Sequence, residues 1–495
     1  MPSREGTSES HEPRAPHHSG QKTVPFSQAI IFLFVSLLLL LPCLWQERIQ
    51  TTDLSSHIYN AWLASLIAQH KVQGLWVAHQ SNNVLFDIML TWLLERVGAA
   101  AAQRIAVCAA VLIFAWGAIR FISRGSSKNW WFVLPCSAVL SYGFVFHAGF
   151  FNFYLAMGIC LWYLAIFLSS GWPVRLLVTP LLVIAWTAHP LPVLWAGGLA
   201  AYATVAERCK PPRRDVLVIA GIGALLGAHF ALTRRYQCFW SIDQAWYVTG
   251  ANQVLLFDRK YAIPFVLLVT VWAMMFRRVL KARPWPILLS DLYVQLWLLS
   301  AAAVVIIPTN IMFPQYALPL KFITPRMSLA AGITLCALLA EVRLNRYEKF
   351  LLTISAVMFF GFVFRDTREF NRREDQVDAV VARLPAGSRV IGPFLNERKL
   401  LSPLLHVIDR ACIGHCFSYA SYEPASRQFR VRAEPKNSVV MADYADVGAV
   451  ELGQYRVRAR DLPLFLVYSC GPSLREICSR ELRAGEVIGS PAEGH

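Results

Sequence analysis

Charge is scarce in this chain of 495 residues: 16% are Asp, Glu, Lys or Arg, and the 31 acidic residues are outnumbered by 47 basic ones. A soluble globular chain carries about a quarter charged residues, so water alone is not the solvent here. No Walker loop, GxGxxG, HExxH or GxSxG stands in a convincing context, which sets a nucleotide-driven pump aside. The 11 cysteines follow no recognised zinc spacing. No repeat period is visible, and no low-complexity tract lies beyond the N-terminal tail. The C-terminal part has no basic stripe with interleaved aromatics, so nucleic acid is not an expected partner.

What the chain does have is apolar length. Hydrophobic residues make up 56% of it, and the mean hydropathy is +0.44. The net charge of +16 is unevenly spread, with about +14 in residues 1–364 and about +2 in residues 365–495. The excess therefore lies among the hydrophobic spans, where it fits positive-inside topology and anionic headgroups. Residues 1–25 are polar and read as a disordered cytoplasmic tail. No small-residue cleavage site follows the first apolar run, so that run is expected to be retained as a span.

A bilayer crossing takes about 20 apolar residues. On that ruler spans are expected near 27–46, 101–122, 130–147, 153–170, 174–190, 192–207, 216–232, 262–276, 287–308, 323–342 and 350–364, about 11 transmembrane helices in residues 26–364. With the N-terminus cytoplasmic, the inside loops hold about fifteen Lys and Arg, Arg124 and Lys128 among them, against about ten outside. An odd number of spans then makes residues 365–495 extracytoplasmic, and the whole a multi-pass protein of the plasma (inner) membrane. The first outside loop, 47–100, carries two stretches with helical apolar spacing, TTDLSSHIYNAWLASLIAQH and NVLFDIMLTWLLERV. Both read as helices lying at the interface. From Arg365 the pattern turns soluble. DTREFNRREDQVDAVVARLP predicts an amphipathic helix stopped by Pro385, and SRVIG, RQFRVRA and PLFLVYS predict strands. The fold class is thus an α-helical polytopic membrane protein with a small C-terminal α/β domain.

Chemistry is sought on the outer side. Asp53 and His57 are four apart on a presumed helix and share one face. Asp53 reads as a general base, with His57 or Asp87 assisting it or holding a divalent metal ion; the plain alternative is a polar face that meets water. His147 and Asn152 in FHAGFFNFY stand at a short outside turn, and either cap helices or line a cavity; His189 in AHPLP can be a helix end. Arg234, Arg235, Lys321 and Arg326 lie on the side that disfavours them, and suit phosphate oxygens or lipid headgroups. In the tail, Cys412, Cys416, Cys470 and Cys478 fit two disulfides in any of three pairings. His406, Asp409, Cys412, His415 and Cys416 form the less favoured alternative, a metal set.

TDLSSHIYNAWLASLIAQ, the later VLFDIML, FHAGFFNFYLAMG, AHPLPVLW, KFITPR and ARLPAGSRVIG together resemble the GT-C superfamily of membrane glycosyltransferases. The resemblance implies transfer of a sugar from a polyprenyl-phosphate donor to a glycan, lipid or protein acceptor on the outer face, usually with inversion. It assigns catalysis to Asp53, His57 and Asp87. Tyr59, His147, Asn152, Arg234, Arg235, Lys321 and Arg326 become substrate-binding candidates. The chain departs from the pattern in having no acidic residue beside Asp53, and Asp87 runs into IMLTW. Two other readings are a transporter or flippase of a lipid-linked substrate, for which Asp291 is the clearest interior charge, and a non-enzymatic membrane protein that presents YASYEPASRQF to a partner.

Overall fold

The computed structural model describes residues 26–123, 129–210, 213–393, 400–471 and 476–488. The expected tail 1–25, with Arg124 and Lys128, lies outside the described residues. The chain divides into two compact units, 1–38 and 39–495. The first is described only by the leading part of α1 (Phe26–Leu44), where Ile30, Ile31, Phe32, Leu33 and Phe34 are all exposed.

The second unit is mostly helical. After α1 come α2 (Leu54–Ala68), β1 (Leu75–Val77) and α3 (Leu85–Ile122), then α4 (Trp130–Ser141), α5 (Phe144–His147), α6 (Phe151–Phe167), α7 (Trp172–Val178), α8 (Pro180–Ala188) and α9 (Pro190–Arg208). There follow α10 (Arg213–Arg235), β2 (Gln237–Phe239), α11 (Ala262–Ala282), α12 (Trp285–Leu289), α13 (Leu292–Ile306), β3 (Asn310–Met312), α14 (Ile323–Leu339) and α15 (Arg346–Val381). The tail adds β4 (Arg389–Ile391), α16 (Val407–Ala411), β5 (Phe417–Ser418), α17 (Tyr422–Ser426), β6 (Val431–Ala433), α18 (Tyr444–Glu451), β7 (Leu464–Cys470) and β8 (Glu476–Glu481).

Among the described residues four helices are long and apolar enough to cross a membrane: Leu85–Ile122, Arg213–Arg235, Arg259–Ala282 and Arg346–Val381. Several of the other expected spans appear as shorter apolar helices, because proline and glycine interrupt them. Thr179 and Pro180 separate α7 from α8, and α1 and α4 contain Pro42 and Pro135. No residue of α10 is buried, which suits a helix whose surroundings are as apolar as itself.

Two boundaries differ from the sequence reading. The expected interfacial helix at 85–97 and the span after it are joined, and Gly98, at φ 77° and ψ 167°, lets the chain turn between them. The domain border at 364 falls inside α15, which runs unbroken for 36 residues from the capping box of Asn345 and Glu348. The long helix carries the chain directly from apolar segment to tail.

The tail sheet has the order β5-β4-β7-β8, with β4 parallel to β5 and β7, and β8 antiparallel to β7. Its core includes Ile391, Val447, Val457, Leu464, Leu466 and Ile488. Disulfides join Cys412 to Cys416 and Cys470 to Cys478, two bridges as expected. The tail is fastened to the first loop at several places. β6 pairs antiparallel with β1, Val431 opposite Val77. Glu374 of α15, with no side-chain exposure, accepts from Arg410 at 2.5 and 2.6 Å and from Gln50 at 2.6 Å. Asp291 has a structural task at the start of α13: it accepts from Tyr293 N and Val294 N and pairs with Arg283 at 2.9 Å.

Candidate functional site

α2 is not a helix with one wet face. Ser55, Ser56, His57 and Asn60 are all buried, because α3 and the tail together cover the helix. Ser56 donates to Glu423 Oε1 at 2.9 Å, and Ser418 N donates to the Tyr59 hydroxyl at 3.0 Å. Tyr59 thus joins the first loop to β5.

Asp53 occupies the residue before α2, where an Asp side chain ordinarily accepts a backbone N–H of the first turn. It makes no such bond; the Thr51 hydroxyl oxygen accepts from Leu54 N instead, at 3.3 Å. The carboxyl group is 19% exposed, and its neighbour is His406 of the tail, with Nε2 3.7 Å from Oδ1. Gly149 fixes its backbone from behind. This glycine has φ +83°, and a Cβ there would stand 2.5 Å from Asp53 N and 2.9 Å from Asp53 Cβ. The loop before α6 therefore seats itself against Asp53 only with glycine at 149.

Beside Asp53 four further candidates converge, His57, Asp87, Asn152 and Arg326. His57 Nδ1–H donates to Asp87 Oδ1 at 2.7 Å, and Asn152 Nδ2 donates to Asp87 Oδ2 at 2.8 Å. Asn152 also accepts from Phe86 N at 2.8 Å, locking its own amide. Both oxygens of Asp87 are therefore engaged by side chains of α2 and α6. Arg326, in the first turn of α14, lies over the Phe150 ring at 3.7 Å, and its Nε has no hydrogen-bond partner among the described residues. Its charge acts on the Asp53 carboxyl. Phe322, next to α14, holds a left-handed backbone (φ 60°), is 45% exposed and packs near Phe144 and Phe150. Such a backbone in a bulky residue is costly and clusters at functional sites.

Burial raises the Asp53 carboxyl to about 6, although His57 and Arg326 pull it back. Burial alone would lower His57, but the charge and hydrogen bond of Asp87, with Glu423 and Asp53, hold it up at about 10. His406 goes the other way, to about 3, by burial and by the His57 charge, and so stands neutral beside Asp53. Burial lifts Asp409 to about 7, against hydrogen bonds from Ser418, Ser56 and Ser421, and lifts Glu423 also.

The remaining candidates stand apart. His147 Nδ1–H donates to Gln50 O at 3.2 Å, and its ring packs on Phe257; it backs the loop. His189 caps α9, accepting from Leu191 N. Arg234 lies over Phe230 of its own helix, Arg235 beside it is exposed, and exposed Lys321 acts on Glu451. The tail residues Glu423 and Tyr422 were not among the site candidates, and His406 and Asp409 were singled out only as metal ligands. The His406 ring stacks on Tyr422 at 4.8 Å. Nothing in a single sequence links them to Asp53, some 350 residues away.

Among the described residues no group of three or more His, Cys, Asp or Glu is spaced to hold a metal ion. The arrangement holds a carboxyl group that, among the described residues, makes no cap hydrogen bond, 3.7 Å from His406 and with a guanidinium within electrostatic reach. Compared with family models, curated proteins and solved structures, the chain matches none of them.

Proposed function

We propose that this chain is a multi-pass membrane glycosyltransferase that moves a sugar from a polyprenyl-phosphate donor to an acceptor on the outer face of the membrane. One observation carries the reading: the Asp53 carboxyl, raised to about 6, makes no helix-cap bond and has neutral His406 3.7 Å away, while Asp87 beside it is hydrogen-bonded at both oxygens. A group with such a value is poised as a general base near neutral pH.

Asp53 takes the proton of the acceptor hydroxyl as that oxygen bonds to the anomeric carbon. The bond from that carbon to the donor phosphate oxygen breaks on the opposite side, so the configuration inverts and the polyprenyl phosphate leaves with the electron pair. Arg326 offers its unpartnered Nε–H to the departing oxygen. The aromatic surface of Phe150 and Phe322 beside it suits an isoprenoid chain. The about eleven crossings, the cytoplasmic N-terminus and the extracytoplasmic tail belong to this same proposal.

Transport or flipping of the lipid-linked substrate is the competing reading. Asp291, the interior charge that would favour it, is occupied as a helix cap and ion-pair partner. Mass spectrometry of glycans and polyprenyl-linked sugars in cells lacking the protein separates the two. A missing glycan with accumulated donor supports transfer; accumulation of an untranslocated lipid overturns it. In the purified chain, Asp53→Asn is expected to lower transfer by about 10²–10⁴ with expression retained, since no hydrogen bond is lost. Full transfer by this variant removes Asp53 as the base.

A further inference from the structure

A cavity lies between the tail and the loop before α14, and no residue of the Asp53 cluster lines it. It has a volume of about 760 Å³, within the range of about 300–1,000 Å³ typical of ligand clefts. Its lips are tied together: Ala317 N donates to Ser426 O at 3.0 Å, and Gln428 Nε2 donates to Leu318 O.

Four tyrosines line the cleft, Tyr316, Tyr419, Tyr444 and Tyr455. Two of them make its floor, and a single fully buried aspartate orients both. Asp461 accepts from the Tyr419 hydroxyl at Oδ1 and from the Tyr455 hydroxyl at Oδ2, each at 2.7 Å, and from Arg458 N at 2.8 Å. A carboxylate withdrawn from water is costly unless its oxygens are bonded. Here that bonding fixes the rings under the cleft. Tyr316 and Tyr444 are half-buried in the lining, Tyr444 also packing against the tail core.

The charged residues of the lining are unbalanced. Arg458 is taken up by Asp446 through two hydrogen bonds of 2.9 and 2.7 Å. Outside that pair, Arg427, Lys436 and Arg460 face one acid, Asp443, whose carboxylate already caps Ala445 N at 2.9 Å. All three cations are exposed, and Arg460 stands 3.9 Å from Asp461. A cleft with ring-bearing walls and two more cations than acids in its lining offers surface for a flat, hydroxylated ring and charge for an anion attached to it. A lipid tail would meet too many polar groups. A free phosphate would leave the aromatic walls unused.

We propose that this cleft binds an acidic oligosaccharide, its rings against Tyr316 and Tyr444 and its anionic groups against Arg427, Lys436 and Arg460. The cleft shares a wall with the Asp53 site: Tyr419 and Ala425 line it, while Ser418 and Glu423 of the same segment bond Tyr59 and Ser56. On the transferase reading this is where the acceptor is held, and only that role rests on the reading; binding does not.

The test is equilibrium binding by calorimetry to the purified full chain, with three probes. Tetragalacturonate carries rings and charge, maltotetraose rings alone, and tetraglutamate charge on a peptide. Tetragalacturonate is expected to bind at least about tenfold tighter than either of the others, and Arg427→Ala with Lys436→Ala to weaken it by about tenfold or more. Raising the salt weakens the same binding in the unaltered chain, a check that needs no variant. Absence of tetragalacturonate binding, equal binding of maltotetraose, or indifference to the paired substitution overturns the proposal. Equal or tighter binding of tetraglutamate overturns it in favour of an acidic peptide. Asp53→Asn retains the binding, so loss of transfer in that variant and loss of binding in the cleft variant report on separate claims.

Discussion

The imidazole of His57 donates to the carboxylate of Asp87 at 2.7 Å, across a separation of 30 residues, with side-chain exposures of 6% and 13%. Removing one partner of such a pair strands the other away from water. Asp87→Ala is expected to cost about 3–5 kcal/mol of stability, read by thermal or denaturant unfolding in detergent. His57→Ala is expected to be smaller in effect when Asp87 is already absent. Additive losses in the double variant contradict a coupled pair.

Gly149→Ala acts on Asp53 through its backbone and Cβ and leaves the carboxyl group itself unaltered. The backbone there has φ +83°, and the new methyl would meet Asp53 N at 2.5 Å. The left-handed backbone alone costs about 1–2 kcal/mol in an L-residue, and the contact shifts the base. Transfer is expected to fall much further than the melting temperature does. A variant with full transfer would mean that the loop does not seat Asp53.

Activity and stability should respond to acid in opposite directions. Asp53 is raised in the folded chain from 3.8 to about 6, so the folded state holds its proton more tightly than the unfolded one. Its contribution to stability is greatest below about 3.8 and declines as the pH rises through about 6. The base form grows over that same interval. Transfer is therefore expected to rise with pH through about 6, while the difference in melting temperature between the unaltered chain and Asp53→Asn shifts against the unaltered chain. A transfer profile flat between pH 5 and 7.5 argues against this group as the base.

The Glu374 pair predicts where the tail is held. Glu374→Ala leaves the Arg410 guanidinium, 9% exposed, without its carboxylate, at a cost of about 3–5 kcal/mol. Limited proteolysis is expected to cut the tail faster. Arg372→Ala on the same helix breaks only a 3.7 Å pair whose members are 62% and 59% exposed, and about 0–1 kcal/mol is expected there. Equal protection of both variants would sever Glu374 from tail docking.

Local pattern made part of this legible. The strands at 389–391, 431–433 and 464–470 and the helix before Pro385 follow from alternation and helical spacing. Asp53, His57 and Asp87 drew notice as polar groups in an otherwise apolar neighbourhood, and the fold brings them together. Asn152 looked like a turn residue and instead holds Asp87. Arg234 and Arg235, chosen for their charge, end an exposed helix. The tail's share of the site could not be read locally, because Glu423 and His406 reach Ser56 and Asp53 through pairings such as β1 with β6. Nor did apolar length alone resolve helices broken by Pro180 or joined across Gly98.

The uninterrupted course of α15 means that the tail is phased to the apolar segment as one end of a rod is to the other. Each residue of an α-helix advances about 1.5 Å and turns about 100°. A single residue inserted near 365 would rotate Glu374 away from Gln50 of the first loop, and with it the strand that meets β1. Loops elsewhere absorb length changes, whereas this connection has none to spare. Chimeras that exchange the tail will therefore work only when the splice preserves the angular phase of the helix.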